Sequence, residues 1–186
     1  MKTIAILTAA CLVCLFPAKV RADDAKDAVE LLSYALSCPN KPGSRVANGM
    51  EYHSLWISRF TGTATQLTIE TFSIVDDQNG VNGETNSTAF SNLKSPHFSK
   101  YDDEVDLHIG CRRGTDVSGG IGMGSSSCFR TLYSVNCNPG NKSACVREDR
   151  VRYVGGIGVR LCDETAARNA KLAIDTLIKL NGGGGE

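Results

Sequence analysis

Apolar residues recur at three- and four-residue spacing near both ends of this chain and at two-residue spacing between them. That change of period predicts helices flanking a set of strands. Ala25, Ala28, Val29, Leu32, Ala35 and Leu36 make one helical stripe, with Asp23, Asp24 and Asp27 at the end where the helix dipole favours acids. Pro39 stops this helix, and the Asn40-Lys41-Pro42-Gly43 run after it reads as loop. At the other end, Asp163 is placed to cap a helix whose stripe is Ala166, Ala170, Ala173, Ile174, Leu177 and Ile178. Asn181-Gly182 closes it, and residues 182–186 read as a flexible glycine-rich tail that packs against nothing.

Between the helices, Val105, Leu107, Ile109 and Cys111 alternate with Glu104, Asp106, His108 and Gly110. Val151, Tyr153, Ile157, Val159 and Leu161 alternate with Arg152, Gly156, Gly158 and Arg160, so Arg152 and Arg160 are expected on one polar strand face. Phe129, Thr131, Tyr133, Val135 and Cys137 form a similar series, which puts Cys128 on the opposite side. Leu55, Trp56, Ile57 and Phe60 precede a hairpin loop at Thr61-Gly62-Thr63. The next run switches phase from Leu67 and Ile69 to Phe72 and Ile74, which suggests a bulge or bend near Thr71. Residues 76–100 carry no clear period. The fold class expected is α+β: a mainly antiparallel sheet of about five strands, with an N-terminal and a C-terminal helix packed on one face.

Lys2, the apolar run Ile4–Phe16 and Val20-Arg21-Ala22 before Asp23 have the order of a removable export signal, with cleavage expected after Ala22. A membrane-spanning helix needs about 20 apolar residues, and Pro17, Lys19 and Arg21 interrupt this run. The expectation is an exported, periplasmic or secreted chain with no stable membrane span after cleavage, and one domain over residues 23–181. Losing residues 1–22 removes Lys2, Lys19 and Arg21 from 20 basic residues and nothing from 20 acidic ones, leaving a net charge of −3. That balance argues against nucleic acid as a partner.

Six cysteines remain: Cys38, Cys111, Cys128, Cys137, Cys145 and Cys162. In an oxidising compartment they read as disulfides, and the lack of a C-x-x-C pair argues against zinc or thioredoxin-like chemistry. The Pro139-Gly140 turn between Cys137 and Cys145 favours that pairing; spacing leaves the other four open.

The candidate chemistry is thin. Gly119-Gly120-Ile121-Gly122 and Gly155-Gly156-Ile157-Gly158 share a core, but neither opens a helix as a phosphate loop would, so the second copy reads as a bend or a close approach between layers. No G-x-S-x-G elbow accompanies His53, His97 and His108. Asp76–Glu84 is rich in oxygen donors but breaks the EF-hand order at Val81 and Asn82, so it reads as a plain loop. Asn86-Ser87-Thr88 and Asn141-Lys142-Ser143 are glycosylation sequons and read as exposed loop. Trp56, Tyr52 and Phe60 read as core before they read as partner anchors.

One polar constellation stands out. Asp106 and His108 share a strand face, and with Arg152 and Arg160 from a neighbouring strand they would form a ligand-binding group. Beside it stands a plain reading, a solvated sheet face with cross-strand charge pairs. The function expected is an exported, disulfide-bonded, non-enzymatic binding module for a protein or a small envelope ligand, without cofactor or metal. The alternative is a small exported enzyme working through His108, Asp106 and Arg152 or Arg160.

Overall fold

A computed structural model describes residues 16–37, 43–47, 50–75, 80–114, 126–137 and 150–183. Helix α1 (Phe16–Leu36) leads into β1 (Gly43–Ala47), β2 (Met50–Phe60), β3 (Gln66–Val75) and β4 (Gly80–Ala89). A short 3-10 turn, Phe90–Asn92, precedes β5 (His97–Tyr101) and β6 (Glu104–Gly110). After these come β7 (Phe129–Cys137), β8 (Arg150–Val154), β9 (Gly156–Leu161) and helix α2 (Glu164–Leu180). The fold is α+β and antiparallel, as the change of period predicts. The strands divide into two sheets: a six-stranded one in the order β1-β2-β3-β4-β7-β8, and a three-stranded one in the order β5-β6-β9.

The division turns on Gly155. Alternation by residue parity continues from Val151 to Leu161, which suggests one strand, but the chain breaks at Gly155 and passes from one sheet to the other. A Cβ at Gly155 would lie 2.7 Å from the Ser126 carbonyl oxygen, so only glycine permits this crossing. The Gly155 carbonyl accepts the Cys111 N–H at 2.9 Å. The bend and close approach expected of the second glycine run are both present.

Helix α2 starts where expected: the Asp163 carboxylate accepts the Ala166 N–H at 2.7 Å, satisfying one of the orphan donors of the first turn. Its buried stripe is Ala167, Ala170, Ala173, Ile174, Leu177 and Ile178. The helix stops at Asn181, whose side-chain amide donates to the Leu177 and Ala64 carbonyls, and Gly182 follows at φ 76°. Gly183 is not part of a free tail; its N–H bonds the Ile178 carbonyl at 2.9 Å, and a Cβ there would lie 2.7 Å from Ile178 Cγ2. In the full chain helix α1 begins at Phe16, ahead of Asp23, Asp24 and Asp27; cleavage after Ala22 would leave these acids at the start of the helix.

Both helices belong to one hydrophobic core. Helix α1 packs on α2 and β2, while α2 packs on the three-stranded sheet and the 3-10 turn. The core joins Leu32 and Leu36 of α1, Leu67 and Ile69 of β3, Phe90, Phe129, Leu107 and Ile109 of β6, Val159 of β9, and the α2 stripe. Among the described residues no helix is long and apolar enough to cross a membrane.

Several local expectations change. The β2–β3 hairpin loop is present, closed by Thr61 N–H on the Thr68 carbonyl and Thr63 N–H on the Gln66 carbonyl. Pairing through Thr71 is unbroken on both sides, so the phase switch is not a bulge; Ile57 pairs with Phe72 and Leu55 with Ile74 in register. The irregularity falls on β4 instead, between Val81 and Gly83 where it meets β7. Residues 80–100, which show no period, are ordered as β4, the 3-10 turn and β5.

The run from Gly80 to Glu84 is strand, and Glu84 accepts the Asn86 side-chain amide at 2.8 Å. Asn86 is not an exposed sequon residue: it is 4% exposed and also accepts the Thr131 hydroxyl at 2.6 Å, because a buried amide needs partners. The second sequon lies outside the described residues.

Cys111, just beyond β6, and Cys128, just before β7, are buried and form a disulfide with Cα atoms 5.6 Å apart. Cys128 therefore departs from the alternation of β7 because it precedes the strand. Cys162 is disulfide-bonded too. Cys38 and Cys145, and with Cys145 the expected Cys137 pairing, lie outside the described residues.

Candidate functional site

The three-stranded sheet shows why its outer face is polar. Along β6, Val105, Leu107 and Ile109 are buried while Glu104, Asp106, His108 and Gly110 are half-buried, a strict period of two. The β9 partners Leu161, Val159 and Ile157 join the inner face and face α2, which leaves Arg160, Gly158 and Gly156 on the outer one. In β5, His97, Ser99 and Tyr101 are exposed. Register then sets rows across the outer face. Ser99, Asp106 and Arg160 align, and in the next row His97, His108 and Gly158 align.

Those rows bring Asp106, His108 and Arg160 together, as the alternation indicated. The Arg160 guanidinium donates to Glu104 Oε1 at 2.7 Å and to Asp106 Oδ1 at 3.3 Å. One cation thus spans two carboxylates, and all three side chains remain about a third or more exposed. Arg152 does not join them. It lies in β8 of the other sheet, where its guanidinium stands 5.3 Å from the Tyr133 ring centroid, since the break at Gly155 separates the two arginines.

His108 is engaged by residues the sequence did not single out. Its Nε2 lies 2.9 Å from Ser99 Oγ, and its ring stacks on His97 with centroids 5.0 Å apart and planes 23° apart. A Cβ at Gly158 would stand at ordinary contact distance, 4.0 Å, from His108 Nδ1, so that ring nitrogen lies on the β9 side. The Lys94 side chain closes one end of the face, since a Cβ at Gly110 would lie 2.6 Å from Lys94 Cε. Tyr101, 79% exposed, stands at the opposite end.

The signal for His97 and Ser99 is the hairpin turn. Tyr101 pairs with Glu104 across Asp102-Asp103, and Asp102 holds φ 53°, a left-handed conformation that aspartate tolerates better than most residues. Counting outward from that turn pairs Ser99 with Asp106 and His97 with His108.

The chemistry available on this face is hydrogen bonding and charge pairing. A hydroxyl beside an imidazole is the first element of a nucleophile and base. Among the described residues no carboxylate completes the set: the one nearest in register, Asp106, is bound by Arg160. Among the described residues, no group of three or more His, Cys, Asp or Glu side chains is placed to enclose a metal ion. Compared with protein-family models, curated proteins and solved structures, the chain matches none of them.

Proposed function

We propose that this chain is an exported, disulfide-bonded binding module that is not an enzyme and that recognises its partner, a protein or a small envelope ligand, through the outer face of β5, β6 and β9. The observation that carries this reading is the Arg160 guanidinium held by both Glu104 and Asp106. It presents a fixed pattern of charge on a sheet whose inner face is locked into the core. A rigid element with side chains held by their neighbours loses little entropy on binding.

The test is capture of partners from an envelope extract by the purified protein, by a face variant, Asp106→Lys/Arg160→Glu, and by an Arg152→Ala control on the other sheet. Capture lost in the face variant and kept in the control supports the reading. Capture equal in all three removes the face from the function.

The Ser99–His108 contact supports one alternative, a small exported hydrolase with Ser99 as nucleophile and His108 as base. Labelling by a serine-reactive organophosphorus probe, abolished in Ser99→Ala, would establish it. Absence of labelling in the native protein leaves the binding reading in place.

A further inference from the structure

An open sheet edge is a template, because alternate N–H and C=O groups point outward and can pair with an extended chain. Strand β8 ends the six-stranded sheet, and among the described residues only β7 pairs with it. Two of the five large apolar side chains exposed among the described residues lie on this one short strand, Val151 at 44% and Tyr153 at 41%. Neither joins the core, whereas Val154 packs against it.

Register sorts the side chains of β8 onto two surfaces. Val151 lies across from Leu132 and Tyr153 from Arg130 on the outer surface, while Arg152 lies across from the buried Thr131 on the core side. The Arg152 guanidinium stands over the Tyr133 ring, a contact that leaves its N–H groups for a carboxylate. Strands β7 and β8 carry Arg130, Arg150 and Arg152 and no acidic residue. The one acid of the adjoining strand β4, Glu84, already accepts the Asn86 amide.

From this juxtaposition we propose that the free edge of β8 is a docking site for an extended acidic segment of a partner protein, which adds a strand to the large sheet. Main-chain pairing supplies the attraction, and the side chains select the segment. Beside Val151 and Tyr153 the added strand places apolar residues, and beside Arg152 it places an acid. The preferred segment therefore alternates apolar and acidic positions.

A second copy of the chain is a poor occupant. Antiparallel pairing of β8 with itself that sets Val151 against Tyr153 also sets Arg152 against Arg152, and the register that pairs Val151 with itself sets Arg152 against Arg150. Like charges directly opposite destabilise a strand pair, so the arginines that guard this edge against its own kind favour a partner of opposite charge. The edge belongs to the other sheet from the face of β5, β6 and β9 and does not depend on how that face is used.

The experiment is fluorescence-anisotropy titration of the purified, disulfide-intact protein with a labelled, end-blocked peptide of alternating valine and glutamate. One control peptide carries lysine in place of glutamate, and another is N-methylated along its backbone, which keeps the charge and removes the main-chain donors. The native chain is set beside Arg152→Glu and the exposed-lysine control Lys26→Glu, with circular dichroism to confirm folding. Saturable binding of the glutamate peptide, weakened roughly tenfold by Arg152→Glu and unchanged by Lys26→Glu, is the expected result.

Hydrogen exchange of the amides from Val151 to Val154 should also slow at alternate positions on binding, a response that a loose electrostatic contact would not give. Equal binding of the lysine or N-methylated peptide, unchanged exchange along β8, or no binding by the native chain overturns the proposal. A native dimer in sedimentation with its β8 amides protected gives the edge to a second copy and overturns it as well. Arg152→Ala is expected to weaken the peptide and to leave partner capture by the small-sheet face intact, so either surface can fail without the other.

Discussion

Asp106 lies directly across from Arg160 in the β6–β9 register, and the arginine reaches past it to Glu104 as well. The three side chains are roughly a third exposed, so water screens their attraction. Arg160→Ala should therefore cost less than about 1 kcal/mol in urea unfolding. A loss well above that would mean the guanidinium is holding the fold and not shaping the face.

The β5–β6 turn should respond to its backbone conformation. Asp102 sits at φ 53°, where a left-handed conformation costs an ordinary L-residue about 1–2 kcal/mol. Asp102→Gly is expected to keep or raise stability, and Asp102→Val to lower it by about that amount, as read by chemical denaturation. Equal effects from the two substitutions would place the cost in the aspartate side chain.

The buried hydrogen bond from Thr131 to Asn86 predicts a different response. Thr131→Val preserves volume but leaves the Asn86 carbonyl oxygen without that donor in the interior of the large sheet. The expected cost is about 1–3 kcal/mol. A neutral Thr131→Val, measured by thermal unfolding, would contradict a buried, satisfied amide at Asn86.

Replacing both Cys111 and Cys128 by alanine removes a link with a sequence separation of 17. The chain-entropy argument gives a loss of about 3 kcal/mol for a loop of that size. Differential scanning calorimetry of the double variant against the oxidised native protein measures it, and an unchanged Tm would refute the estimate.

Much of the fold was legible where one period ran without interruption. Alternation along β6 placed Asp106 and His108 on the wet face, and Asp163 announced the start of α2. What escaped was pattern without apolar contrast. Strand β4, Gly80–Ala89, reads Gly-Val-Asn-Gly-Glu-Thr-Asn-Ser-Thr-Ala and carries almost no hydrophobic signal. It is ordered because β3 and β7 pair with it on both edges and because Asn86 is buried with its partners.

The break at Gly155 escaped for the opposite reason: parity continues through it, so two strands of different sheets looked like one. Parity alone therefore puts Arg152 on a face it does not share with Arg160. His97 and Ser99 were invisible to motif spacing because only the register set by the Asp102-Asp103 turn brings them to His108 and Asp106.

The Cys111–Cys128 bond ties the residue after β6 to the residue before β7, and the Cys111 N–H also holds Gly155, where the chain crosses between sheets. Three passages of backbone are thus riveted at one joint. The bond therefore joins the end of the small sheet to the start of a strand of the large one at the place where the chain crosses between them. Reducing it would release one tie at that joint, leaving the shared core and the Leu93–Cys111 bridge to keep the two sheets in place.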